Sequence, residues 1–186
     1  MTSKAHKGER RRRLRTRLRL FCRNERAATA LEFALISMPF LALLIAILET
    51  MLVFFAQQCL ETAGEAASRL IMTGQPQLGA WSQSAFKTKV CAQLPPVLGC
   101  NNLMVDVQTA DSFTNVNTGT PTITYDASGN PQTNYVTGSA GDIVVVRLMY
   151  IWPIATGPLG FNLSNQSGGK RLLVSTSVAQ TEPYNA

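Results

Sequence analysis

The chain has 186 residues, 46% of them hydrophobic, and a formal net charge of +6. That length suits one modest domain with a membrane anchor and excludes a two-domain enzyme. Residues 1–27 hold eleven Lys and Arg against two Glu, a charge of +9, so the rest of the chain carries −3 and does not predict a basic nucleic-acid-binding groove.

A long apolar run follows this basic segment. Sixteen uncharged residues separate Glu32 from Glu49, and at about 1.5 Å per residue they rise about 24 Å. The apolar character continues to residue 56, so a helix over residues 28–56 is long enough to cross a hydrocarbon core of about 30 Å. Because a Lys/Arg excess stays in the cytoplasm, residues 1–27 are predicted to form a cytoplasmic tail and the remainder to be exported.

Two other interpretations of the apolar run are open. A secretory signal peptide has a shorter apolar stretch that ends in a small-residue cleavage site, whereas here the helical pattern continues past residue 56. A buried core helix of a soluble protein is the second alternative. We expect a membrane anchor.

The helix is expected to continue beyond the membrane to about residue 73. Apolar positions from Leu52 to Leu70 recur in steps of four and three, which forms one helical stripe. Gly74 then supplies a left-handed C-cap, and Pro76 cannot continue a helix. Because this second half is amphipathic, it is predicted to lay its stripe on an exported domain over residues 57–186.

The exported part predicts a second helix over residues 80–94 and strands around residues 103–108, 143–151 and 172–180. A Thr/Asn-rich stretch over residues 111–141 is either a functional surface loop or a hairpin that pairs residues 122–125 with residues 133–136. The predicted fold class is α+β, with a long N-terminal transmembrane and amphipathic helix backing a small antiparallel β-sheet.

The cysteines predict one disulfide. Cys91 and Cys100 are nine residues apart on the exported side, where a bridge would contribute about 2.5–3 kcal/mol by the chain-entropy estimate. Cys59, on the helix stripe, is expected to remain a free thiol. No metal site is predicted, because the only histidine is His6 in the tail.

No catalytic centre is predicted. The exported part lacks histidine, its acids show no pairing pattern, and P-loop, G-x-G-x-x-G and nucleophile-elbow motifs are absent. We therefore expect no enzyme activity, no cofactor and no small-molecule substrate. Arg147, within an apolar strand, is expected to be exposed at an edge or paired with an acid.

The junction over residues 25–35, Glu-Arg-Ala-Ala-Thr-Ala-Leu-Glu-Phe-Ala-Leu, turns a basic tail into an apolar helix with one acid in its first turns. It resembles the TadE-like minor pilins (pseudopilins) of the tight-adherence, or Tad/Flp, pilus. Residues 47–58 and 69–75, the cysteine pair before a Val-Asp-Val strand and residues 175–184 are also similar to that family. The resemblance implies a pilin-like fold and a minor pilin that takes part in pilus assembly by packing its helix against other pilus subunits.

The resemblance also implies a processing site. Such proteins lose a leader to a prepilin peptidase on the cytoplasmic face, which here places the cut between Ala27 and Ala28 and makes Glu32 the fifth mature residue. Ala27 departs from the glycine that the family favours. Because a charge within hydrocarbon is costly and seeks a partner, Glu32 is predicted either to pair with the new α-amino group or to be an interfacial glutamate held near the headgroups.

The implied partners are inner-membrane lipid, other Tad pilus subunits, their assembly proteins and the prepilin peptidase. The implied location is a bacterial inner membrane, with the N-terminus cytoplasmic, the C-terminal domain periplasmic and the protein incorporated into a pilus. The alternative is a permanently anchored periplasmic binding or adhesion module whose loop over residues 111–141 contacts a ligand. A third hypothesis, a nucleic-acid arm made by residues 1–27, predicts strongly salt-dependent binding.

Overall fold

The structure is a computed structural model that describes residues 25–155 and 160–183. The predicted basic tail, including His6, lies outside the described residues except for its last three positions. The helices and strands are α1 (Glu25–Met72), α2 (Gln75–Leu78), α3 (Gln83–Cys91), β1 (Leu103–Ala110), β2 (Ile143–Pro153) and β3 (Lys170–Gln180). The predicted α+β class, a long N-terminal helix with a small antiparallel sheet, is confirmed.

The helix α1 is continuous over 48 residues. Its residues up to Ile47 belong to one compact unit, and from Leu48 onward it belongs to a second unit, the globular domain. α1 ends where the sequence indicates, because Gly74 takes a left-handed conformation with φ of 70° that side-chain-bearing residues rarely adopt. Pro76 then lies in the first turn of α2, where proline is tolerated.

The second predicted helix is shorter than residues 80–94. α3 begins after Ser82, whose Oγ accepts a hydrogen bond from the Ala85 N–H at 3.3 Å, as expected of an N-cap serine. At the other end of α3, Cys91 is joined to Cys100 in a disulfide with the Cα atoms 5.6 Å apart. The disulfide therefore links the end of α3 to the short turn that precedes β1.

The three strands form one antiparallel sheet in the order β1-β2-β3. One face of the sheet packs against the amphipathic half of α1 and against α3. Each fully buried leucine-sized side chain contributes about 1.5–3 kcal/mol, and this cluster is the main core. Its members from α1 are Val53, Ala56, Leu60, Ala63, Ala67 and Ile71, and its members from the sheet include Leu103, Val105, Val107, Val144, Val146, Leu148, Tyr150 and Leu173.

The face of β3 that carries Leu173 and Ser175 is turned toward α1. Ser175 is buried beside Gly64, where an added Cβ would meet the Ser175 side chain and lie 3.1 Å from its Cβ. The larger residues Leu172 and Val174 lie on the opposite face, with Met104 and Met149. Glycine and serine together thus allow the helix backbone to approach the sheet closely.

The long loop over residues 111–142 covers part of that opposite face, where Ile123 packs against the Met104 cluster. The predicted hairpin is only partly right. Tyr125 bridges Pro131 around a tight turn, but Tyr135 pairs in parallel with Val107 of β1. The second predicted arm therefore binds the sheet edge rather than the first arm, because β1 has an unpaired edge to satisfy.

A buried ion pair between β1 and β2 forms hydrogen bonds that hold the long loop on the sheet. Arg147 Nη1 lies 3.9 Å from Asp106 Oδ2, and both side chains are nearly inaccessible to water. Asp106 Oδ1 accepts a hydrogen bond from the Asn134 N–H at 2.8 Å, and Arg147 donates to the Asn117 carbonyl. Of the two expectations for Arg147, pairing with an acid is therefore right and exposure at an edge is wrong.

Candidate functional site: the apolar helix and its two glutamates

The first half of α1 exposes large apolar side chains around its whole circumference. The span beginning at Ala28 has a mean hydropathy of 2.4 in its most apolar window, and none of that window is buried within the protein. A core helix of a soluble protein would be buried, so this helix is one that could span a membrane. The most exposed side chains are Leu31, Phe33, Leu35, Ile36, Met38, Leu48, Met51 and Phe54.

This apolar surface ends where the domain core begins. Val53 and Ala56 are 6% and 0% exposed and belong to the main core, whereas the neighbouring Phe54 and Phe55 remain 70% and 53% exposed. One face of α1 therefore enters the domain while the others stay apolar and uncovered. The helix α1 contains both the apolar segment and the stripe that packs in the domain core.

The predicted processing site lies at the start of this helix. α1 begins at Glu25, so the bond between Ala27 and Ala28 is in its first turn, where helices fray most readily. Ala28 is exposed, as is Glu32 one turn further along. Residues four apart lie on one helix face, so an α-amino group created at Ala28 would be next to the Glu32 carboxylate.

Glu32 itself has an open carboxylate. Its side chain is exposed, and no hydrogen bond or ion pair is formed by it within the described part of the chain. Because α1 begins at Glu25, Glu32 lies about two turns inside the helix and beyond the first turn, where the helix dipole stabilises a negative charge. The geometry thus leaves Glu32 available to a cation, either at its own helix start or on a neighbouring molecule.

Glu49, at the other end of the apolar run, has a different environment. Both of its carboxylate oxygens are shielded from solvent and have no hydrogen-bond partner. It lies four residues before Val53, on the same helical stripe that enters the core. From the sequence, Glu49 marks only the end of the uncharged run, because spacing carries no signal for how a side chain is shielded.

A groove beside the long loop is the other concave feature that bears on function. Its volume is about 300 Å³, which is at the lower end of small-molecule sites. Tyr125 is 52% exposed at its margin, and Lys170 is the one charged side chain among its described lining residues. These are Asn101, Asn102, Met104, Tyr125, Pro131, Ile151, Pro153 and Lys170.

Two groups in the loop region have perturbed pKa values. Hydrogen bonds from the Asn130 backbone and side chain hold the pKa of the exposed Asp126 below its ordinary value of 3.8. Burial raises the pKa of Tyr135, whose hydroxyl has no hydrogen-bond partner. The Asp126 carboxylate accepts hydrogen bonds from backbone N–H groups of its own turn. Neither Asp126 nor Tyr135 therefore indicates acid–base chemistry. Within the described ranges no cluster of three or more metal-ligating side chains occurs.

A protein-family model described as TadE-like protein matches residues 27–69. The match begins at the predicted processing site and includes the whole exposed apolar segment, Glu32, Glu49 and most of the core-facing stripe of α1. Neither the curated proteins nor the solved structures gave a match to this chain. The resemblance predicted from the junction is thereby confirmed for residues 27–69, the segment that is similar to the TadE-like family.

Proposed function

We propose that the protein is a membrane-anchored minor pilin that takes part in assembling a Tad/Flp-type adhesion pilus. The observation that carries the proposal is a TadE-like segment whose apolar side chains the described protein leaves uncovered. A helix exposed in this way is stable only when lipid or other apolar helices surround it. Its role is one of assembly by helix packing and not of catalysis.

The proposed location is a bacterial inner membrane crossed once. The Lys/Arg excess before residue 28 keeps the N-terminus in the cytoplasm. The Cys91–Cys100 disulfide in the globular domain belongs in an oxidising compartment, which the periplasm provides. Both features support the same orientation, with the domain outside.

Assembly would exchange lipid for protein around α1. Lipid tails and leucine side chains are similarly apolar, so helix association in membranes depends on packing and polar contacts more than on the hydrophobic effect. Removal of the basic tail by a prepilin peptidase would free the helix from the anionic inner surface, where each basic residue contributes about 1 kcal/mol of attraction. Glu32 would then pair with the new α-amino group of Ala28, on its own chain or on a neighbouring subunit.

The mature N-terminus tests this proposal. The protein is expressed with its pilus system, extracted from membranes and analysed by intact-mass and N-terminal peptide mass spectrometry. We expect a mature chain that begins at Ala28, equal or faster processing of Ala27→Gly, and an intact basic tail in Ala27→Leu. A wild-type protein that keeps residues 1–27 while pili assemble would contradict the processing step, and pili that form normally without the protein would contradict the assembly role.

The groove lined by Tyr125 and Lys170 favours a second candidate function, a permanently anchored binding or adhesion module. Because the loop covers part of the sheet, deleting it would expose the Met104 cluster, so point changes at the exposed groove margin are the better test. Tyr125→Ala combined with Lys170→Glu would abolish surface adhesion while leaving pilus assembly intact if this candidate is correct. Loss of pili from the same stable variant would instead favour the minor pilin.

A further inference from the structure

Glu49 is the described acid whose two carboxylate oxygens are both shielded from water and both without a donor. Glu61, by comparison, accepts a hydrogen bond from Gln57 at 2.8 Å, and Asp106 accepts bonds from Asn134 and Gln108. The described chain thus provides partners for these two carboxylates but not for Glu49.

An unpartnered, shielded carboxylate is costly in either protonation state. The ionised form loses hydration at its two oxygens without a compensating hydrogen bond. The protonated form still leaves a hydroxyl donor and a carbonyl acceptor unpaired. An apolar residue would fit the stripe that continues through Val53 and Ala56, so the isolated protein gains nothing from glutamate at this position.

The surroundings of Glu49 indicate where a partner would come from. Leu48 and Leu52 are 59% and 53% exposed, and Ile45, one turn before, is 50% exposed. A second helix that covers these apolar side chains lies along the same part of α1. A polar side chain of that helix would meet the Glu49 carboxylate once the carboxylate turns outward from its shielded position, without entering the domain core.

We propose that Glu49 is the docking point for a cationic side chain of a different pilus subunit, with an arginine guanidinium as the best match. This inference rests on the proposed minor pilin function and names the chemistry of the partner. A guanidinium presents paired donors to the two oxygens of one carboxylate and loses less on desolvation than an ammonium. A helix that supplies a guanidinium would give the Glu49 carboxylate the hydrogen bonds that it lacks in the isolated protein.

A second copy that packs in register along α1 does not supply that cation. Between residues 28 and 48 the sequence has no Lys or Arg, so the apolar segment of a neighbouring copy has no basic side chain to offer. The next cation along α1 is Arg69, twenty residues beyond Glu49 and about 30 Å away along the helix axis. A parallel copy in register therefore leaves Glu49 unpaired.

The test uses the full-length protein in cells that carry the pilus system. A photoreactive amino acid replaces Leu52, and its crosslinks to other subunits are compared between wild type, Glu49→Leu and Glu49→Gln. The thermal unfolding of each purified protein is measured in detergent. Glu61→Leu, an exposed position on the same helix, is the matched control.

We expect Glu49→Leu to unfold at the wild-type temperature or higher, because it removes an unpaired polar group. Its crosslink to another pilus subunit should fall at least about tenfold, which corresponds to about 1.4 kcal/mol. Glu49→Gln keeps the shape and one acceptor, so its crosslink should fall less. Glu61→Leu should retain the wild-type crosslink.

Four results would overturn the inference. Crosslinking that is unchanged in Glu49→Leu would show that no partner depends on the carboxylate. Lower unfolding temperatures in both Glu49→Leu and Glu49→Gln would assign Glu49 to the stability of the chain itself, and a crosslinked product made only of this chain would replace the heterologous partner by a second copy. A wild-type protein that crosslinks to no pilus subunit would refute the proposed function as well, which separates that failure from failure of the Glu49 contact alone.

Discussion

Removing the Arg147 charge should destabilise the domain by about 3 kcal/mol. The side chains of Arg147 and Asp106 are 11% and 8% exposed, with 3.9 Å between the charged atoms. At that separation the Coulomb attraction is about 4 kcal/mol for an effective dielectric constant of about 20, before desolvation is subtracted. Breaking a buried pair typically costs about 3–5 kcal/mol, because one charge is left without compensation.

The expected loss is at the lower end of that range for a structural reason. When Arg147→Met removes the cation, Asp106 still accepts hydrogen bonds from the Asn134 N–H at 2.8 Å and from Gln108 at 2.8 Å. Asp106→Asn should cost about 2 kcal/mol, since Arg147 keeps its bond to the Asn117 carbonyl. The loss of unfolding free energy in the double variant should be about 1–3 kcal/mol smaller than the sum of the two single losses, as expected for residues in one network.

Urea unfolding of the detergent-solubilised chain measures this cycle. The chain's two tryptophans, Trp81 and Trp152, both pack against the main core, so their fluorescence reports unfolding of the domain. Arg69→Met, at an exposed position of α1, is the control and should change stability by less than about 0.5 kcal/mol. A loss in Arg147→Met as small as in the control, or strict additivity in the double variant, would refute a coupled buried pair.

Three further predictions concern the domain. Gly64→Val should cost about 1–3 kcal/mol by overpacking, and Ser175→Gly should restore most of that stability in urea unfolding. Replacing Cys91 and Cys100 by serine should lower the free energy of unfolding by about 2.5–3 kcal/mol. The depressed pKa of Asp126 means that its turn contacts are present above pH 3.8 and lost as the pH falls through the lower folded value, which NMR titration would show as a carboxyl midpoint below 3.8.

Each of these has a matched control or a contradicting result. Thr62→Val, at an exposed helix position, should cost far less than Gly64→Val, and equal losses would argue against close approach to Ser175. Replacing Cys59, a free thiol, by serine should cost less than losing the disulfide. An Asp126 midpoint at or above 3.8 would contradict the hydrogen bonds within its turn.

The elements with strong local signals were predictable from the sequence. The apolar run, the stripe from Leu52 to Leu70 and the stop at Gly74 predict the end of α1 to within one residue, while its start lies three residues before the predicted position 28. The three strands lie where alternating apolar residues indicate them, with longer ends. These features depend on periodicity and backbone preference, which are properties of neighbouring residues.

The features that arise from distant residues were not predictable. The order β1-β2-β3 depends on which edges meet, and the pairing of Tyr135 with Val107 depends on an edge of β1 that the sequence does not mark. Ser175 can face α1 because Gly64 lies opposite it. The sequence alone favours burial of the other face of β3, where the larger Leu172 and Val174 lie. The shielding of Glu49 is of the same kind, since it depends on the folded chain around the helix.

The most direct test of the whole account is the side of the membrane on which the domain resides. Alkaline phosphatase, active only in the periplasm, and a cytosol-dependent fluorescent protein are fused in turn after Ala186 in the full-length chain. The account predicts a membrane-bound protein with active phosphatase and no fluorescence, since the apolar helix crosses once and the basic tail stays inside. Fluorescence without phosphatase activity, or a fusion that remains soluble without detergent, would contradict it.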